Sequence, residues 1–197
     1  MGEIWSIILA AGESKRMGFP KMLLPIKGIS MIETVIENVT KSNVDNILIV
    51  LGANREKLNR IIKSTSVNYC YNENYKKGML SSVKCGFENL PSDFEAALVF
   101  QGDQPLITPN VINKVIDTYR SSGKGIVIPV YKRKRGHPIL INNKYRNEID
   151  DLDPGVGLRS LAHKFSDDVV EVDADDSGIL RDFDTYEDYT KEINQTE

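Results

Sequence analysis

Apolar residues recur along this chain in two rhythms, short continuous runs and longer stretches with spacings of three and four. Ile4 to Ala10 is the first run, of strand length and too short for a buried helix. Met31, Ile32, Val35, Ile36 and Val39 then take helical spacing, entered through Ser30 with Glu33 three residues on, a capping-box pair. Ile47 to Leu51 predicts a second strand, closed by Gly52. Leu58, Ile61 and Ile62 mark one side of a polar helix, and Val67 to Tyr71 is extended. This strand–helix alternation predicts a parallel sheet flanked by helices.

The second half keeps the rhythm with interruptions. Asn72 to Gly78 is a polar loop. Ser81, Ser82, Val83, Phe87 and Leu90 predict a helix that starts with the two serines, as caps or as groups for an anion, capping being the commoner role. Ala96 to Phe100 is a buried strand that runs into Gln101, Gly102, Asp103, Gln104 and Pro105. Thr108 and Pro109 open a helix bearing Val111, Ile112, Val115, Ile116 and Tyr119. Gly125 to Val130 is a strand, followed by the basic run Lys132 to Arg135 and then Gly136, His137, Pro138 and apolar Ile139 to Ile141. These segments predict a small β excursion from the sheet at about 130–142. Asn142 to Asp151 is helical or looped. A turn over Asp153 to Gly157 leads to a short helix with Arg159 on its first turn, then a strand over Val169 to Val172. From Asp167 onward twelve acidic residues face Arg181 and Lys191 alone, so the tail is mostly a solvated acidic surface. Asp182, Phe183, Asp184 and Thr185 stand apart, just before a last helix with Tyr186 and Tyr189.

With 197 residues and no repeat or linker, the chain reads as a single domain over 1–197. A net charge of -3 gives no reason to expect nucleic acid or an anionic membrane as partner. The two cysteines, Cys70 and Cys85, form no CxxC pair and read as reduced thiols of a cytoplasmic protein. No basic segment precedes the first apolar run, and no stretch approaches the ~20 apolar residues of a membrane span.

Candidate chemistry gathers where strands end, because ligands of open α/β sheets bind at the carboxyl ends of strands. The first strand empties into Gly12, Ser14, Lys15, Arg16, Gly18 and Lys21, a loop of small and cationic residues suited to phosphates. The loop after Phe100 brings Asp103, and the late segment brings Asp184. Cations and backbone amides suit a triphosphate, and two carboxylates suit Mg²⁺ shared with substrate phosphates, so the set points to transfer at a phosphate. It is not a P-loop, since Gly18 is followed by Phe19, and no GxGxxG follows the first strand. Taken singly, each residue has a plainer role. Asp184 precedes a helix as a cap would, Asp182 competes with it as a metal ligand, and His137 could be a turn residue. The basic run reads as a solvated strand edge or as a means of steering an anion.

Four motifs carry a resemblance. LAAGESKRMGFPKMLLP over Leu9 to Pro25 resembles the signature loop of nucleotidyltransferases with the nucleotide-diphospho-sugar transferase fold. GDQPLIT from Gly102, GHPIL from Gly136 and DFDTYEDY from Asp182 resemble motifs of the molybdenum cofactor cytidylyltransferases. Ala10, Ala11 and Gln104 match the cytidylyl branch rather than the guanylyl one. DPGVGLRSL around Arg159, and Tyr186 where a proline is usual, depart from the pattern. The resemblance implies a Rossmann-like three-layer α/β/α sandwich with a mostly parallel, mixed central sheet. It implies CTP and a molybdopterin-type acceptor as substrates, a molybdoenzyme that receives the product, and Mg²⁺ held by Asp103 and Asp184. Leu9, Ala10, Ala11, Gly12 and Ser14 would bind the nucleotide with Gly78, Ser81, Ser82, Gln101 and Gly102. Arg16 and Lys21 would hold the triphosphate and, with Asp103, serve catalysis. Gly136, His137, Pro138 and Arg159 would line the acceptor pocket. Rival readings are a GTP-using or sugar- or polyol-phosphate nucleotidyltransferase, and a cofactor-binding chaperone with little turnover.

Overall fold

The computed structural model describes residues 2–194. The last residues of the acidic tail, 195–197, lie outside them. Strand β1 (Ile4–Ala10) is buried along its whole length, which its unbroken apolar run requires of a strand covered on both faces. A small hairpin, β2 (Pro25–Ile26) and β3 (Ile29–Ser30), precedes α1 (Met31–Thr40). The capping box forms in both directions: Glu33 N–H donates to Ser30 Oγ and Ser30 N–H donates to the Glu33 carboxylate. Next come β4 (Asn46–Leu51), α2 (Arg55–Ile62), β5 (Asn68–Tyr71), α3 (Met79–Glu88) and β6 (Ala96–Gln101). Then α4 (Pro109–Ser122), capped by Thr108, leads to β7 (Ile126–Tyr131). The chain continues through β8 (Lys134–Arg135), β9 (Ile139–Asn142), α5 (Arg146–Asp150) and α6 (Leu158–Lys164). It ends with β10 (Val169–Asp173) and α7 (Tyr186–Asn194).

The main sheet runs β10-β7-β9-β6-β1-β4-β5, with β8 paired to β7. Parallel pairing joins β1 to β4 and β6, β4 to β5, and β7 to β10. Strand β9 is antiparallel to both its neighbours, so the sheet is mixed, as expected. The excursion expected at 130–142 is smaller than the sequence suggests. Only the Lys132–Arg135 hairpin leaves the sheet path, while the apolar Ile139 to Ile141 is an inserted strand whose side chains need cover on both faces.

Alternation along β1 divides the core. Ile4, Ile8 and Ala10 join one apolar cluster with residues of α1, α2 and α4. Trp5, Ile7 and Leu9 join a second with residues of α3, α5 and α6, giving the three-layer sandwich. No helix among the described residues is long and apolar enough to cross a membrane. Strand order reverses at β1, which has β4 on one side and β6 on the other. The loop after β1 therefore opens at a topological switch point, the crevice where such sheets bind ligands.

Candidate active site

The loop after β1 is held by its own main chain. Met17 and Gly18 N–H both donate to the Ser14 carbonyl, and Lys21 N–H donates to Ser14 Oγ at 3.1 Å. Gly18 has φ of +74°, a conformation that a Cβ would strain. Met17 and Met22 are buried, which anchors the loop from below. The Ser14 hydroxyl thus fixes Lys21, which begins a 3₁₀ turn over Lys21–Leu23.

Four expected residues meet here. The Lys21 ammonium bridges the carboxylates of Asp103 and Asp184, at 3.0 Å from the latter. Arg16 binds the other oxygen of Asp184 at 2.8 Å. Lys21 and Asp103 are both nearly buried, whereas Arg16 is largely exposed. Burial alone would lower the Lys21 pKa, but Asp103 and Asp184 outweigh it and hold the pKa above the usual value.

The two aspartates come together through backbone. Phe183 N–H donates to the Asp103 carbonyl at 3.2 Å, and the Phe183 ring packs with Met17, Ile26, Met31 and Tyr189. Asp184 is not the cap of the last helix. Thr185 and Asp188 do that reciprocally, Asp188 N–H donating to Thr185 Oγ1 and Thr185 N–H to the Asp188 carboxylate. Asp184 is thereby left to face Lys21 and Arg16. Asp182 is exposed, and its pKa is raised by partial burial and by the neighbouring Asp184 and Asp103.

On the other side of Asp103, Gln101 Nε2 lies 3.4 Å from the His137 ring. Burial, with Arg159 adding to it and Asp182 opposing, lowers the His137 pKa to about 4, so the ring is neutral at pH 7. Arg159 itself is exposed. Gly136 is buried where a Cβ would lie 2.4 Å from the Ile179 carbonyl, and His137 N–H donates to that same carbonyl. The His137–Pro138 bond is cis.

The residues expected on the nucleotide side divide. Leu9 O accepts from Gly102 N–H at 3.0 Å, and Ala11 O accepts from Ala53 N–H at 3.1 Å. Those carbonyls tie β1 to its neighbours. Gly12 is exposed with open space where a Cβ would stand. Ser81 and Ser82 do not cap α3, which begins at Met79 with Gly78 as its first flanking residue, at φ of +98°. Instead, Asn72 Nδ2 donates to both hydroxyls, at 2.8 and 3.0 Å, and Ser81 Oγ lies within hydrogen-bond reach of the Asn74 and Gly78 carbonyls. A free φ at Gly78 lets the helix start two residues early, so the serines turn toward Asn72.

A cavity of about 480 Å³ lies beside this network, lined by Gly52, Ala53, Asn54, Tyr71 and Asn72 among others. Asn54 Nδ2 reaches Gly12 O at 3.5 Å, which links the cavity to the β1 loop. None of these residues is apparent from motif reading. The signal that finds them is the strand-end rule applied to β4 and β5 as well as to β1 and β6.

An open α/β sheet with cations and carboxylates at its strand ends defines a protein built to handle a phosphorylated ligand. Residues 6–169 match the MobA-like NTP transferase domain, and the chain belongs to that family. The molybdenum cofactor cytidylyltransferase of Escherichia coli K12 is 27% identical over 190 residues, covering 96% of this chain and 95% of the relative. Bifunctional protein GlmU of Clostridium kluyveri is 36% identical over 125 residues, 62% of this chain, which spans only 27% of that relative. The solved nucleotidyl transferase Mth528 of Methanothermobacter superposes with a TM-score of 0.85 at 20% identity, covering 98% of this chain and 97% of that one. Rv0371c of Mycobacterium tuberculosis gives 0.84 at 22% identity, covering 98% of each chain.

Proposed function

We propose that this protein transfers CMP from CTP to the terminal phosphate of a molybdopterin-type acceptor and releases pyrophosphate. The observation that carries this reading is the Lys21 ammonium between Asp103 and Asp184, with Arg16 on the same carboxylate. Two carboxylates that share one cation form a hard-oxygen site of the kind that holds Mg²⁺ together with substrate phosphates. Among the described residues no third acidic, histidine or cysteine side chain completes a metal cluster, which suits a metal that takes its remaining ligands from triphosphate and water. Once bound, Mg²⁺ would neutralise charge at the α-phosphate and on the leaving pyrophosphate.

The chain's own residues do the rest. Lys21, freed from the carboxylates, and Arg16 hold the triphosphate, while the main chain at Gly12 offers an open approach. An acceptor phosphate oxygen attacks the α-phosphorus, a new P–O bond forms, and the α–β bond breaks. His137, being neutral, serves the acceptor side by shape and hydrogen bonding and adds no charge. The reading takes residues 1–197 as one catalytic domain in the cytoplasm, and the net charge of -3 suits small-molecule substrates rather than nucleic acid or membrane.

The Escherichia coli cytidylyltransferase, matched over nearly the whole chain, supports CTP and the acceptor. A CMP:2-keto-3-deoxy-manno-octonic acid synthetase, TM-score 0.76 at 15% identity, has been solved in complex with CTP. Rv0371c has been solved as a complex with manganese, TM-score 0.80, which supports a divalent metal. A second reading, with GTP, draws on the molybdopterin-guanine dinucleotide biosynthesis protein A of Archaeoglobus fulgidus, TM-score 0.71 at 14% identity. The test is pyrophosphate release with each of the four NTPs, with and without molybdopterin. Acceptor-dependent release with CTP supports the proposal. Release with GTP instead moves the assignment to the second reading, and release with neither sinks both.

A further inference from the structure

Both cysteines of the chain meet at one point. Cys70 in β5 and Cys85 in α3 are buried free thiols whose Sγ atoms lie 3.7 Å apart. Buried thiols are ordinarily inert packing groups, and two features set this pair apart. First, each thiol has the other as a partner at sulfur–sulfur contact. The hydrogen bond between them pushes the Cys70 pKa far up and lowers that of Cys85, so Cys85 is the one of the two that ionises more readily. Second, Cys85 forms part of the wall of a cavity of about 440 Å³, with Tyr71, Asn72, Leu80 and Ser81. A small oxidant can approach Cys85 through that cavity.

We propose that Cys70 and Cys85 are a redox modification site, closed to a reversible disulfide by a peroxide. The Cys85 thiolate attacks one peroxide oxygen, the O–O bond breaks, and Cys85 becomes a sulfenic acid as hydroxide leaves and takes a proton. Cys70 sulfur then attacks the sulfenic sulfur, the S–O bond breaks, and water leaves with the Cys70 proton. In total two thiols and one hydrogen peroxide give one disulfide and two waters. A dithiol reductant reverses the change.

The pair sits under the nucleotide side of the proposed site. Cys70 is two residues before Asn72, and Cys85 is one helical turn after Ser81. Asn72 binds Ser81 and Ser82, so the same strand and helix that carry the thiols carry this network. A disulfide needs its sulfurs about 2 Å apart, inside the present separation, so closure turns the two side chains toward each other and locks β5 to α3 beside the Asn72 network. That functional consequence rests on the nucleotide reading, whereas the cross-link does not.

The experiment treats the full chain with hydrogen peroxide and follows intact mass, a non-reducing peptide map, and equilibrium binding of CTP and of GTP. The expected product is lighter by two hydrogens, links the Cys70 and Cys85 peptides within one chain, and binds nucleotide about tenfold more weakly until dithiothreitol restores it. Cys70→Ala should take oxygen at Cys85 and form no internal link. Oxygen adducts or unreacted thiols in the untouched sequence, without the internal link, overturn the site. A complete link with unchanged nucleotide affinity overturns its coupling to binding. Reduced protein that binds neither nucleotide overturns the nucleotide reading and leaves the cross-link result standing.

Discussion

Phe183 donates its backbone N–H to the carbonyl oxygen of Asp103, and that single bond sets the two acidic segments of the site side by side. The Phe183 ring, almost fully buried with Met17, Met31 and Tyr189, holds the late segment against the loop after β1. Phe183→Ala should cost about 3 kcal/mol of stability. Turnover should fall with it, because Asp184 loses its support. Urea unfolding and pyrophosphate release measured on one preparation check both, and full turnover in a destabilised variant would detach Phe183 from the site.

Lys21 holds two carboxylates apart from water with its own charge. In Lys21→Met, Asp103 loses its cation and Asp184 keeps only Arg16, so the metal-free protein should lose about 3 kcal/mol, as when one partner of a nearly buried ion pair is removed. Mg²⁺ or Mn²⁺ should restore more of the melting temperature in this variant than in the parent. Turnover should stay about 10²- to 10³-fold down even with metal, since no ammonium remains for the triphosphate. Thermal melts with and without metal decide the point, and an equal response of parent and variant would argue against metal at Asp103 and Asp184.

Two glycines separate folding from binding. A Cβ at Gly52 would stand 2.5 Å from Ala11 O, so Gly52→Ala should destabilise by about 1–3 kcal/mol. Gly12 has open space around it, so Gly12→Ala should leave stability within about 0.5 kcal/mol while it weakens nucleotide binding. Calorimetric unfolding and nucleotide titration give the two readouts.

His137 sets part of the acid response. Its folded-state pKa of about 4 lies below its ordinary value of 6.5, so between these pH values the unfolded chain takes a proton that the folded one refuses. Its contribution to stability is therefore full above pH 6.5 and is lost as pH falls toward 4. His137→Gln should flatten the pH dependence of the urea midpoint across that window. An NMR titration of the ring should show its midpoint near 4, and a midpoint near 6.5 would contradict this.

The fold was legible because periodicity and turn chemistry agreed. The Ser30–Glu33 box, Pro109 behind Thr108 and the unbroken run of β1 each appear as their residues dictate. Ile139 to Ile141 was harder to place, since a short apolar run after a glycine does not announce whether it enters the sheet. The meeting of Arg16, Asp103 and Asp184 around Lys21 was legible, because all four stand in motifs. The Asn72 network, Gly52 against Ala11 and the contact of Cys70 with Cys85 were not, since each depends on which strands and helices lie side by side. Ser81 and Ser82 misled as caps because Gly78 lets the helix begin two residues early.

In the proposed reaction Lys21, Asp103 and Asp184 act at the α-phosphate of a nucleoside triphosphate, and the fate of a label tests that most directly. CTP labelled at its α-phosphate and CTP labelled at its γ-phosphate are each incubated with acceptor and Mg²⁺. The α-label should move to the acceptor and the γ-label should appear only in pyrophosphate, with both lost in Asp103→Asn. Transfer of the γ-label to the acceptor, or α-label transfer undiminished in Asp103→Asn, would contradict the account.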